Sequence, residues 1–180
     1  MKTIIIIVVF CTTFISANAQ FDTTTLKKSV YANMDSMISI FHRKDWLRYM
    51  DYMHPNVIDF GGGKTALAEL IGTQMEAIDA EIIALKPSQL LQLIKTANGY
   101  QGVVASLIQM KVMGNMVSGT SYDLIMSDDG LKWSFTRIDE PQTLKKILPD
   151  VSPEIKLPKK GMKLGVTLDE FMKTYEIQYY

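Results

Sequence analysis

Between Met116 and Asp139 the chain reads MVSGTSYDLIMSDDGLKWSFTRID, two runs rich in β-formers around the turn cluster Asp128, Asp129 and Gly130. That pattern commits the segment to a β-hairpin. Side chains alternate between the two faces of a strand, so a slip of one residue in the pairing moves every group to the other face. A two-residue Asp129-Gly130 turn of type I′ segregates the faces best, because it sets Met126 opposite Trp133, Leu124 opposite Phe135 and Tyr122 opposite Arg137. A three-residue loop would set Asp123 against Phe135 and Leu124 against Ser134.

Upstream, Asn98-Gly99 is a turn and Val103 to Met113 a long strand. Gly114-Asn115 then supplies a two-residue loop with glycine first, the type II′ preference. Continuing the register places Leu107 opposite Tyr122 and Gln109 opposite Thr120. The Trp133 face then also carries Val103, Ala105, Leu107, Gln109 and Met113, apolar at one end and polar at the other. Tyr122, Gln109, Thr120, Arg137 and Asp139 gather at the polar end, where buried polar groups need partners. The reverse face carries Val104, Ile108, Met110, Val112, Val117 and Ile125. It needs a cover, either the C-terminal segment or a second subunit.

Helices precede this meander. Leu26, Val30, Met34, Met37, Ile38 and Phe41 form one helical stripe after the capping hydroxyls Thr23 to Thr25, with His42, Arg43 and Lys44 at its carbonyl end. Asp45 can cap a shorter helix through Trp46, Leu47, Met50 and Met53, and Pro55 stops it, leaving His54 extended. Val57 to Phe60 reads as a short strand. In the following Gly61-Gly62-Gly63-Lys64-Thr65, a nucleotide-binding phosphate loop is excluded by spacing, since Ile58 stands where its first glycine belongs. The free N–H groups there leave anion binding as a lesser alternative to a tight turn. Leu67, Leu70, Ile71, Met75 and Ile78 mark a third helix, and Ile82 to Leu85 and Ser88 to Thr96 are strand pieces around an edge proline, Pro87. The expected class is α+β: three N-terminal helices packed in the concave face of a bent antiparallel sheet, with a C-terminal extension.

Residues 1–19 read as a secretory signal peptide, with Lys2, the apolar run Ile4 to Ile15 and a small-x-small end at Ala17 and Ala19. Cleavage is expected before Gln20, which implies a periplasmic or extracellular protein with no membrane contact after cleavage. Phe10 before Cys11 does not fit a lipoprotein signal. The single cysteine lies in this leader, so the mature chain depends on a core and not on disulfides. Loss of Lys2 takes the formal charge from zero to minus one, with no basic excess for a nucleic acid. Two histidines and no zinc-type spacing imply no metal, and no cofactor is expected. The twelve methionines read as flexible core filler. Residues 20–139 form the domain. In residues 140–180, Thr143 to Leu148 and the capping box Thr167 to Glu170 mark short helices, the second carrying Phe171, Met172 and Tyr175. Leu144, Ile147, Leu148, Ile155, Leu157, Leu164, Phe171 and Tyr175 make this extension apolar enough to dock.

The helix, the FHRKDWLRYMDYMHP segment, the strand and turn of VIDFGGGK and the closing GLKWSFTRID resemble the cone-shaped superfamily of nuclear transport factor two, ketosteroid isomerase, scytalone dehydratase and polyketide cyclases, in the manner of its small secreted Bacteroidota members. The resemblance covers Thr24 to Asp139 and rests on element order, with no catalytic motif. It implies an apolar cone with a few polar ligand contacts or catalytic groups, and dimerisation through the outer sheet face.

Three functions follow. The first is a non-catalytic module binding a small apolar or acidic ligand through Tyr122, Arg137, Gln109, Thr120, Asp139 and Trp133. Arg137 would meet the acidic or carbonyl end unless it is spent on an ion pair with Asp139 or another carboxylate. The second is a lyase or isomerase with His54 or Asp59 as general base and Tyr122 or Arg137 steadying an enolate; Asp59, Tyr122 and Asp139 are loose counterparts of the isomerase site. The third is a homodimeric interaction module with no ligand, in which Trp46 and Trp133 are core aromatics.

Overall fold

The computed structural model describes residues 22–179; the expected leader lies outside the described residues. Among the described residues, six α-helices and an antiparallel five-stranded sheet make an α+β fold. Helix α1 (Thr23–His42) starts on Asp22, whose carboxylate accepts from the N–H groups of Thr24 and Thr25, so the cap lies one residue before the threonines expected to supply it. Its stripe buries Val30, Met34, Met37 and Ile38. Helix α2 (Trp46–Tyr49) is capped by Asp45 and runs into a 3₁₀ turn, Met50–Tyr52.

The segment expected as a strand from Val57 is helix α3 (Pro55–Phe60). Pro55 supplies a preset φ at its first position and keeps His54 extended (ψ 138°), where the imidazole becomes the cap. Helix α4 (Lys64–Ala77) follows the glycine turn. The sheet begins with β1 (Ala80–Thr96), one continuous edge strand in which Pro87 falls within a run of three register irregularities. It continues through β2 (Gly99–Val112), β3 (Asn115–Ser127) and β4 (Ser134–Arg137).

Two registers differ from expectation. The β2–β3 turn is Met113-Gly114, both with positive φ (48° and 80°), so it has the signs of a type I′ turn and not the expected type II′. Ala105 therefore faces Tyr122, and Leu107 faces Thr120. This two-residue shift keeps every side chain on its expected face. The β3–β4 pairing is offset by one residue: Asp123 faces Arg137, Leu124 faces Thr136 and Ile125 faces Phe135. Side-chain capping explains the longer loop. Ser127 Oγ accepts from Gly130 N (2.8 Å), and Asp129 Oδ1 accepts from Leu131 N (2.8 Å) and Lys132 N (3.0 Å). Helix α1 then holds the loop, with Asn33 Nδ2 donating to Leu131 O (2.9 Å) and Trp133 Nε1 donating to Ser29 Oγ (3.1 Å).

The offset sends Trp133 and Phe135 to the opposite side of the sheet from Leu124. One core joins them to Val104, Ile108, Ile125 and the α1 stripe. The other joins Val103, Ala105, Tyr122 and Leu124 to Ile138, Leu144, Leu148, Ile155 and Leu157. Helices thus cover the face expected to be outermost, and the extension covers the face expected to be the pocket wall.

The extension adds helix α5 (Pro141–Ile147), strand β5 (Gly161–Leu164) and helix α6 (Leu168–Thr174). Strand β5 pairs with Val117–Thr120 of β3, on the same edge that β4 uses further along. Two glutamines pin the intervening segment by exchanging hydrogen bonds with its backbone. Gln101 donates to Asp150 O (2.9 Å) and accepts from Ser152 N (2.8 Å), and Gln92 does the same with Lys156 O (2.6 Å) and Lys156 N (2.9 Å). Tyr175 lies on Gly161, where a β-carbon would collide with its ring. Since Gln101 is buried, Gln101→Ala is expected to cost about 1–3 kcal/mol in chemical denaturation, with faster amide exchange in residues 150–157. Unchanged stability and exchange would contradict this docking.

Candidate functional site

The offset hairpin assembles a polar cluster on the helix side of the sheet. Ser121 and Asp123, two apart on β3, share the face of Ile125. Asp123 is 2 % exposed and Ser121 also 2 %. Arg137 Nε donates to Asp123 Oδ1 at 2.9 Å. The other carboxylate oxygen, Asp123 Oδ2, and the hydroxyl of Ser121 are both buried with no hydrogen-bond partner among the described residues. Buried polar atoms left unpaired cost on the order of 1–3 kcal/mol each, which makes this face of β3 the candidate site.

Arg137 keeps 31 % of its side-chain surface in solvent and so forms the accessible side of the cluster. Burial works against its charge, and Asp123 with Tyr49 more than restores it, holding the guanidinium above its ordinary pKa. Tyr49, from α2, is pushed up to about 12, first by burial, with Arg137 opposing and Asp123 adding, and it remains a phenol donor. Its ring is packed against Phe41 at 5.3 Å and Trp46 at 6.4 Å. The arrangement offers a carboxylate acceptor, a hydroxyl that donates or accepts, a phenol and a cation, beside the packed core that holds Ile125, Phe135 and Val104.

The six residues expected to line one pocket do not converge. Tyr122, Gln109 and Thr120 lie on the extension side. Tyr175 donates to Lys159 O (3.0 Å), so Tyr122 donates to Tyr175 Oη, 3.0 Å away. Gln109 donates to Ser118 Oγ (3.2 Å), and Thr120 is paired with Gly161. Asp139 is exposed and bound to Lys160 (3.1 Å), not to Arg137. Trp133 is a core residue of the helix side, its indole N–H already used. Arg137 alone of the six enters the polar cluster, with Asp123 as the carboxylate that holds it.

The candidate bases lie elsewhere as well. Asp59 is exposed on α3. His54 Nδ1 accepts from Asn56 N (3.2 Å) as the α3 cap. At the glycine turn Lys64 is spent on Asp51 (2.5 Å). Asp123, Ser121 and Tyr49 were missed from sequence. A signal existed in Ser121 and Asp123, which alternate with residues of an apolar strand face. No family model, curated protein or solved structure matches this chain.

Arg137→Ala leaves a buried carboxylate without its cation and is expected to cost about 3 kcal/mol. Adding Asp123→Ala should recover part of that loss, whereas additive losses in the double-mutant cycle would contradict coupling. For His54, burial lowers the pKa from its ordinary 6.5, with Asp128 and Asp150 pulling the other way. The folded state therefore takes up fewer protons than the unfolded chain. The His54 contribution is complete above pH 6.5 and is lost as pH falls through the folded-state pKa. In stability measured from pH 7 downward, His54→Asn, which keeps a capping side chain, should flatten this part of the slope. An NMR titration placing His54 above 6.5 would contradict the assignment.

Proposed function

We propose that this protein is an exported small-molecule-binding domain, and that its ligand site is the helix-side cluster of Asp123, Ser121, Arg137 and Tyr49. The observation that carries the reading is the unpaired, fully buried pair Asp123 Oδ2 and Ser121 Oγ. A ligand supplying a hydroxyl or amide N–H to Asp123 and an oxygen that accepts from Ser121 completes both groups, and a carbonyl or acidic oxygen meets Arg137, the partly exposed member of the cluster. Tyr49 can donate to the same ligand oxygen.

A helix layer against one face of a curved antiparallel sheet is the setting in which the cone-shaped superfamily builds its pockets, and this chain is proposed to share that plan. Binding, not turnover, is favoured because the residues expected to act as bases, His54 and Asp59, stand outside the cluster, and Tyr122 lies across the sheet from it. Export rests on the leader-like residues 1–19, and the exported chain should begin at Gln20 by intact mass. The proposed species is a monomer, since the face a second subunit was expected to use is filled within one chain by helix packing, and the other by the extension.

Thermal-shift and calorimetric screening of small hydroxy acids, hydroxy-amides and aromatic acids is the test. The expected result is a ligand whose affinity falls about tenfold or more in both Asp123→Asn and Ser121→Ala, each substitution removing or altering one bond. Binding that survives both substitutions would overturn the site.

A further inference from the structure

A second feature stands apart from this cluster. At the end of the sheet that carries the β1–β2 turn, a cavity of about 780 Å³ opens between that turn, the loop before β4, the residues leading into α3 and the pinned segment of the extension. Its volume is in the range of small-molecule sites. None of Asp123, Ser121, Arg137 and Tyr49 lines it.

The lining has a small acidic excess. Asp128, Asp150 and Glu154 face the cavity, and none forms an ion pair among the described residues. Lys95 and Lys132 are the lining cations, while the fourth lining carboxylate, Asp51, is already held by Lys64. The free carboxylates therefore outnumber the ammonium groups, and His54 does not redress the balance. Its Nδ1 accepts the Asn56 N–H, which assigns the ring a neutral tautomer with the proton on Nε2. Beside the charges lie Met53, Tyr100 and Met126, an adaptable apolar wall.

We infer that this cavity is a binding site for a small organic cation, an amine whose charge meets Asp128 and Asp150 and whose aromatic or aliphatic body lies on Met53, Tyr100 and Met126. Asp128 and Asp150 come from different parts of the chain, one from the loop before β4 and one from the extension, and both act electrostatically on His54, which also lines the cavity. An ammonium between them neutralises the acidic excess, and an aromatic ring adds contact with the thioethers. The glutamine pin at Gln101 is itself part of the lining and fixes the backbone of Asp150 and Ser152 against the sheet, so this part of the wall is preformed. This site stands whether or not the Asp123 cluster takes a ligand.

The test is an NMR titration of the purified protein with phenethylamine and, separately, phenylacetate, which share an aromatic body and differ in charge. Saturable perturbation by the amine is expected at the amides of Asp128, Lys132, Asp150 and Ser152. The His54 pKa should fall on amine binding, because the carboxylates that raise it are then answered by another cation. Asp128→Asn with Asp150→Asn should weaken amine binding about fivefold or more, while Glu81→Gln, an exposed carboxylate at the start of β1, should leave it unchanged. The inference is overturned if phenylacetate binds as tightly as the amine, or if the double variant binds like the parent. It is overturned equally if the perturbations centre on Ser121 and Asp123, or if neither probe saturates by about 10 mM.

Discussion

A carboxylate on the middle strand of a covered sheet must be answered by another charge or by several hydrogen bonds, because burial without either costs several kcal/mol. In this fold Asp123 is answered by Arg137 from the neighbouring strand, at 2.9 Å. That pairing is possible only in the register that puts Asp123 opposite Arg137, and the same register decides where Trp133 and Phe135 go. The ion pair and the composition of the two cores thus follow from one register. The pair is only half satisfied within the chain, since Asp123 Oδ2 has no protein partner among the described residues. The structural bond and the proposed binding function share one carboxylate.

The second constraint is that neither face of the sheet is polar. Antiparallel sheets commonly leave one face to solvent, but here β2 and β3 are buried on both sides through their middles. Helix α1 covers one face, and residues 141–157 with Tyr175 cover the other. Coverage by an irregular segment requires its backbone groups to find partners, and Gln92 and Gln101 supply them by presenting amide groups that mimic a neighbouring strand. Strand β5 and Tyr175 close the far end. The extension is therefore part of the core that makes the sheet possible, and it also contributes one wall of the cavity.

Much of this was legible from residues alone. The α1 stripe, the β1–β2–β3 meander, the capping box at Thr167 and the apolar extension each follow from one local signal. The short helix α3 is not legible as one, because Val57 to Phe60 is too brief for periodicity to distinguish helix from strand, although Pro55 after an extended His54 marks a helix start. The hairpin register was not legible because segregation of apolar from polar residues is a poor guide when both faces are buried. Ser127 and Asp129 lengthened the loop through side-chain caps, and Asn33 and Ser29, a hundred residues earlier, fixed where it lies. The ties to Asn33 and Ser29 are tertiary and leave no local mark. The register decides the site itself, since Arg137 facing Tyr122 would stand on the other side of the sheet from Asp123.

The pairing of β3 with β4 is the point on which the whole account turns, and it can be observed directly. Cross-strand nuclear Overhauser contacts in the labelled protein should connect Asp123 with Arg137 and Ile125 with Phe135 as facing pairs. Facing contacts between Leu124 and Phe135 and between Tyr122 and Arg137 would instead return Arg137 to the extension side of the sheet, and would contradict both the ion pair and the site built on it.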